Sequence, residues 1–206
     1  RFYSVIESRT QFCSRHGLDP MRPIVTWATQ YGYADIGNDN RSSMYQQWLT
    51  ETTDVGVKTC YERKGIDIKD IPIGHAKGRD ASSHAFFNLA GAMPNVQFLL
   101  KPHPIEGINF YREQIAKANL KNVVFCKGEY IWDVLNVSDI ELHRHCTTAI
   151  EGWLWNKPTI EMGMDSFSVL EWKDREDGSD IAYNTDDLIG LVNGYIDGKV
   201  VDAGVL

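Results

Sequence analysis

The stretch Ser138–Met162, SDIELHRHCTTAIEGWLWNKPTIEM, constrains the chain most. Ile140 to Leu142 is an apolar run suited to the middle of a sheet, and it feeds directly into the polar group His143, Arg144, His145, Cys146, Thr147 and Thr148. A helix is predicted at once. Thr147 or Thr148 is its N-cap, Glu151 stands at capping-box spacing, Ile150, Trp153 and Leu154 supply the buried side, and Asn156 stops it. Pro158–Met162 reads as the next strand. Open α/β sheets bind ligands where a strand delivers its carboxyl end to a helix N-terminus, because backbone N–H groups and the helix dipole attract an anion there. Phosphate is the expected guest.

The same unit recurs upstream. Phe2–His16 reads as an amphipathic helix ended by Gly17, with Phe2, Val5, Ile6, Phe12 and Cys13 on one side, and Ile24–Ala28 (IVTWA) as the first buried strand. Thr29–Tyr33 then leads into a polar loop, Asp35–Ser43, before a helical pattern over Met44–Arg63. Gly65–Arg79, punctuated by Pro72, Gly74 and Gly78, reads as a connection with a short extended piece near Ile71–Ile73; Asp80–Met93 reads as a helix closed by Pro94. Val96–Lys101 is the second strand, Tyr111–Ala118 a helix, Val123–Cys126 the third strand and Ile131–Val137 a short helix. This alternation predicts βαβ units: an α/β, Rossmann-like parallel sheet with helices on both faces. After Met162 the pattern weakens through Asp165–Ser179, where Val169, Leu170 and Trp172 are candidate core contacts; Asp186–Ile196 reads as a closing helix capped by Asn184 or Thr185. The organisation expected is a single domain over 1–206, with a helix and turn in 1–22 and a helical arm in 165–206.

At 206 residues and 43% apolar content the chain suits one α/β domain. A net charge of −7 argues against a broad nucleic-acid or anionic-membrane surface. The four cysteines, Cys13, Cys60, Cys126 and Cys146, form no CxxC pair, which suits reduced thiols and a cytoplasmic setting. No apolar run reaches the length of a membrane span. The chain begins with Arg1, so it is expected to be a piece of a longer protein whose other parts set any peripheral attachment to the inner membrane.

Two polar clusters therefore end strands of one sheet: Lys101-Pro102-His103-Pro104, and His143 through Thr148. Both open onto the same edge of a parallel sheet, so His103 and the Thr147–Thr148 amides are expected to converge on one ligand. Pro102 and Pro104 hold the His103 direction with little entropy to lose. Glu151, one turn into the helix, stands where a carboxylate accepts two hydrogen bonds from a ribose diol. Lys101, Gln30, Tyr31 and Gly32 are further candidates to line the pocket, Arg144 and His145 to contact phosphate. Each feature has a plainer reading: a capping box for Thr147, Thr148 and Glu151, packing for Trp153 and Trp155, a surface ion pair for Arg144. Zinc at His143, His145 and Cys146 lacks a fourth ligand at recognisable spacing, and no metal is expected.

The order KPHP, a strand, then SDIELHRHCTTAIEGWLWNKPTIEMG, over Val96–Gly163, resembles the donor-binding half of GT-B glycosyltransferases, especially bacterial surface-carbohydrate and capsule enzymes with an HP motif. Their pattern of SD, strand, small polar residues, T-x-x-E and x-G-K-P is filled by Thr148-Ala149-Ile150-Glu151 and Asn156-Lys157-Pro158, with Asn156 in place of the usual Gly. The resemblance implies a nucleotide-sugar donor, CMP- or UDP-linked, with His103 catalytic and on the donor phosphate, Thr147 and Thr148 binding phosphate, and Glu151 holding the ribose. It implies metal-independent transfer to a glycan or lipid-linked acceptor held by a second domain, which agrees with the lack of a DxD motif. A sugar-nucleotide 2-epimerase, a polyol-phosphate transferase and a non-catalytic nucleotide-binding module are the other readings of the same scaffold.

Overall fold

The computed structural model describes residues 7–39, 41–51, 61–63, 65–144, 146–165 and 178–198. Six parallel strands form one sheet in the order β3-β2-β1-β4-β5-β6. They are β1 Ile24–Ala28, β2 Gln97–Lys101, β3 Val123–Phe125, β4 Ile140–His143, β5 Thr159–Met162 and β6 Asp180–Ala182. The helices among the described residues are α1 Arg9–His16, α2 Ala34–Gly37, α3 Ser43–Glu51, α4 Asp70–Ala92, α5 Ile108–Ala118, α6 Ile131–Val137, α7 Thr148–Leu154 and α8 Thr185–Ile196. The order reverses between β1 and β4, which makes that junction the switch point of a doubly wound, Rossmann-like sheet.

The two faces differ in chemistry. Val25, Trp27, Phe98, Leu100, Ile140, Leu142, Ile160 and Met162 alternate onto one face and build the main core with residues of α4, α5 and α8, among them Phe86, Leu89, Tyr111, Leu188 and Val192. Among the described residues, the opposite face has its apolar cluster where Ile24 and Leu99 meet Phe12, Val134 and Val137 from α1 and α6. Towards β4 and β5 that face carries Glu141, His143, Thr159 and Glu161, all buried.

Several expectations are corrected. Residues 65–79 are not a connection: from Asp70 they are the opening turns of a continuous 23-residue α4. Pro72 stands in the first turn, where its missing N–H has no intrahelical partner to lose. The backbone of α4 is closely approached there, because a Cβ on Gly37 of α2 would collide with the Pro72 carbonyl. The polar loop after β1 contains α2, fastened by Arg79 of α4: its guanidinium donates to Asp35 (2.6 Å) and Asn38 (3.0 Å) and lies 3.8 Å over the Phe110 ring. Residues 180–198 are no arm, since β6 pairs with β5 and α8 packs into the main core.

Ser8 and Gln11 form a capping box at α1, which begins at Arg9; the helix expected over residues 1–6 and the core contacts expected at 169–172 lie outside the described residues. Gly17 ends α1 at φ 66°. Arg9 then staples α1 to the sheet, donating to Asp139 (2.8 and 2.9 Å) and to the carbonyls of Val137, Pro20 and Arg22.

Helix α7 also departs from expectation. It buries Ala149 and Gly152, while Ile150 and Leu154 point outward at 40% and 76% exposure. Its neighbours are the polar side chains of β4 and β5, so small residues let the helix come close. A Cβ at Gly152 would strike the Glu141 carboxyl and stand 2.9 Å from Thr159 Cγ2. Gly152→Ala is therefore expected to destabilise the fold by about 1–3 kcal/mol, seen as a lower urea midpoint with an unchanged slope.

Candidate functional site

The carboxyl ends of β2, β1 and β4 place the two polar clusters on one rim. Lys101 and His143 flank Ala28 in register, so β1 stands between them. Two strand spacings, roughly 10 Å, separate the cluster origins.

On the β2 side, His103 is half-buried and clear of the apolar core. Its amide lies 3.3 Å from both Thr29 Oγ1 and Glu106 Oε1, and its carbonyl accepts from the Glu106 amide (3.0 Å). Ile105 N–H makes a long contact to Nδ1 (3.4 Å), which leaves Nε2 to carry the ring proton. Burial, with help from the Lys101 and Lys127 charges, holds the imidazole below its ordinary pKa. The ring at neutral pH is then an uncharged donor.

Glu106 is the residue that sequence reasoning missed here. It is 6% exposed and accepts from Thr29 Oγ1 (2.6 Å), the Tyr31 amide (3.0 Å) and the Tyr111 hydroxyl. Lys127 covers the same turn from outside, donating to the carbonyls of Pro104 (3.2 Å) and Glu106 (2.8 Å). Glu106 stands three residues past His103, just before the helix; that spacing was the available signal. Of the residues expected to line the pocket, Tyr31 is in the core, with its hydroxyl on Ser82 (2.7 Å). Gln30 is half-buried, and Ile105 fills the space beside Gly32. Lys101 is buried at the rim. An open depression of about 490 Å³ lined by Gly37, Asn38, Asp39, Arg41 and Ile73 draws no residue from either cluster.

On the β4 side, Thr147 is exposed and makes no side-chain cap, so the expected capping box is not formed. Thr148 Oγ1 is buried near the Glu141 carboxyl and Cys146 thiol, outside hydrogen-bond geometry with either. Glu151 is half-buried in the first turn of α7; Trp132 Nε1 of α6 donates to its Oε2 at 3.0 Å. Burial raises the Glu151 carboxyl above its usual range, and the indole N–H offsets part of that. Trp132 lies within stacking distance of Tyr130 and meets Trp155 edge-on. His145 lies outside the described residues.

Arg144 is committed elsewhere. It donates to Glu161 (2.7 Å) and forks onto Asp165 (2.9 Å twice), all three side chains almost fully buried. His143 completes this group through a 2.6 Å contact to Glu161 and a 2.9 Å contact to Ser179. Burial pushes the Glu161 carboxyl up, but His143 and Arg144 outweigh it and hold it below the usual range. The buried thiols of Cys126 and Cys146 are pushed up to about 12, so neither is a thiolate at neutral pH.

The strand order and the switch-point rim define a Rossmann-like α/β protein. No family model matches the chain, and no curated protein does. Solved structures similar to it include a putative UDP-N-acetylglucosamine 2-epimerase from Listeria monocytogenes (TM-score 0.49, 10% identity, 87% of this chain, 38% of that one). Others are a variant of the wall teichoic acid polymerase TagF (TM-score 0.44, 11% identity, 90% and 37%) and the beta Kdo 2,4 transferase KpsC from Thermosulfurimonas dismutans (TM-score 0.38, 14% identity, 85% and 46%). The chain spans less than half the length of each. The fold assignment rests on the strand order itself.

Beneath α7, Glu141 is fully buried with neither oxygen in a hydrogen bond, and burial raises its carboxyl to about 7. The unfolded chain releases this proton near 4.5. Between the two values the folded state binds more protons, so raising the pH removes stability, by roughly 3 kcal/mol in total. His75, lowered by burial to about 4, has the opposite slope in an overlapping window. The Glu141 contribution is therefore read as wild type minus Glu141→Gln: the difference in unfolding free energy should fall from pH 4.5 to pH 7.5, and a flat difference would contradict the buried neutral acid.

Proposed function

We propose that this chain is the donor-binding domain of a glycosyltransferase of surface-polysaccharide assembly, holding a CMP- or UDP-linked sugar by its phosphate and ribose. The observation that carries the reading is the shared rim: the His103 turn and the start of α7 flank β1 at the switch point, with His103 outside the apolar core. A neutral Nε2–H held by a pinned turn donates to a phosphate oxygen without a desolvated second charge. Thr147, exposed at the head of α7, and Thr148 behind it add a hydroxyl and backbone amides to the same anion.

Glu151 suits the ribose. The indole of Trp132 occupies Oε2, which orients the carboxylate and leaves Oε1 for a vicinal diol. In transfer, an acceptor hydroxyl from a facing second domain, in the GT-B manner, attacks the anomeric carbon, while His103 stabilises the departing phosphate oxygen. Arg144 has no part in this scheme, because its guanidinium braces β4 against β5.

Nucleotide titration tests the reading. CMP or UDP should raise the melting temperature and bind measurably by calorimetry; His103→Ala and Glu151→Ala should each weaken binding by about 1.5–3 kcal/mol, one to two decades in affinity. Melting curves unmoved by every nucleotide would sink it.

A further inference from the structure

Lys101 ends β2 and is 7% exposed. By strand alternation it shares a face with Leu99, which packs with Cys126, Val134 and Val137, so its stem runs on the α6 side of the sheet. Among the described residues its ammonium makes one hydrogen bond, a long one of 3.3 Å to the carbonyl of Pro102. Among the described residues no carboxylate comes within ion-pair distance of it. The groups that face it are the thiols of Cys126 and Cys146, both neutral, the His103 ring and the Lys127 ammonium. The Glu129 charge acts on it, but Glu129 is already bound by Arg15 (2.6 and 3.0 Å) and His16 (3.1 Å). Glu106, beside His103, is saturated by Thr29, Tyr31 and Tyr111.

Taking an ammonium out of water costs several kcal/mol unless a counter-charge and further hydrogen bonds compensate. Among the described residues Lys101 has no counter-charge and only the long hydrogen bond to Pro102. We infer that Lys101 is the fixed counter-charge for a phosphate or pyrophosphate group at this rim, between the 102–104 turn and the start of α7. The inference deepens the donor reading and rests on it for the anion's place, but it needs no nucleotide. Before the anion arrives, Lys101 is a cost to stability: burial already pulls its pKa below the ordinary lysine value. The sign of its effect on the unliganded fold is therefore opposite to that of a structural lysine.

The experiment is thermal melting of wild type, Lys101→Met and Lys101→Arg, each with and without inorganic pyrophosphate. Methionine keeps the apolar stem and discards the charge. Lys101→Met is expected to melt higher than wild type without anion, by about 3 °C, and to bind pyrophosphate at least ten-fold more weakly. Lys101→Arg should keep part of the pyrophosphate-induced shift. A Lys101→Met protein that melts lower or fails to fold marks the lysine as structural and overturns the inference, as does an equal pyrophosphate response in all three proteins or none in wild type. The two readings separate cleanly. Pyrophosphate shifts that need Lys101, with CMP and UDP adding nothing, support the counter-charge and defeat the nucleotide; nucleotide shifts unchanged in Lys101→Met do the reverse.

Discussion

The carboxylate of Glu106 is the interaction on which the rim depends. It lies almost fully buried and accepts from the end of β1 (Thr29 and Tyr31), from the turn after β2 (the His103 amide) and from α5 (Tyr111). A buried carboxylate is tolerable only when its lone pairs are used, and here both oxygens are. The consequence is mechanical. Two loops on neighbouring strands, each free to wander if alone, become one body, and the His103 ring inherits its direction from that body. Proline stiffens the turn, but Glu106 decides where it sits.

A second polar group fixes the other half of the rim. Glu161 stands between His143 and Arg144, and Arg144 passes the bracing on to Asp165. These charges are paired under the end of β4, where removing one partner would leave an uncompensated charge at a cost of about 3–5 kcal/mol. Their presence explains α7. A helix lying over Glu141 and Thr159 meets polar side chains, and it presents Ala149 and Gly152 inward and carries Ile150 and Leu154 outside. Close approach takes the place of hydrophobic burial.

This is also where sequence reasoning reached its limit. Strands β1 to β5 were legible because each is a short β-branched or aromatic run between turn residues, and the parallel order followed from their rhythm. Periodicity told which α7 residues are apolar; it could not tell that the sheet beneath is polar, so Ile150 and Leu154 lie outside while Trp153 is half-buried against Thr159. Pro72, Gly74 and Gly78 hid the opening of α4 over Asp70–Arg79, although a first-turn proline and buried glycines are compatible with helix. β6 has three residues and was overlooked at the sheet's edge. At the candidate site, turn chemistry singled out His103 and a one-turn spacing singled out Glu151. The roles of Glu106, Lys127 and Trp132 come from contacts 19 to 77 residues away in the chain, which no local pattern encodes.

Saturation divides the polar groups near the rim into two sets. Glu106, Arg144 and Glu161 are each held by several partners, and substituting any of them would disturb the strand ends themselves. Among the described residues the side chains of Lys101, His103 and Glu151 have one hydrogen bond apiece, and all three are moved by burial towards their neutral forms. A folded chain under selection for stability alone would pair or remove such groups. Of these six, the under-satisfied ones stand on the rim of the switch point while the satisfied ones lie behind them, and in the donor reading proposed above the free energy left unclaimed by folding would go to the ligand; Glu141, buried under α7 without a hydrogen bond, is the exception behind the rim.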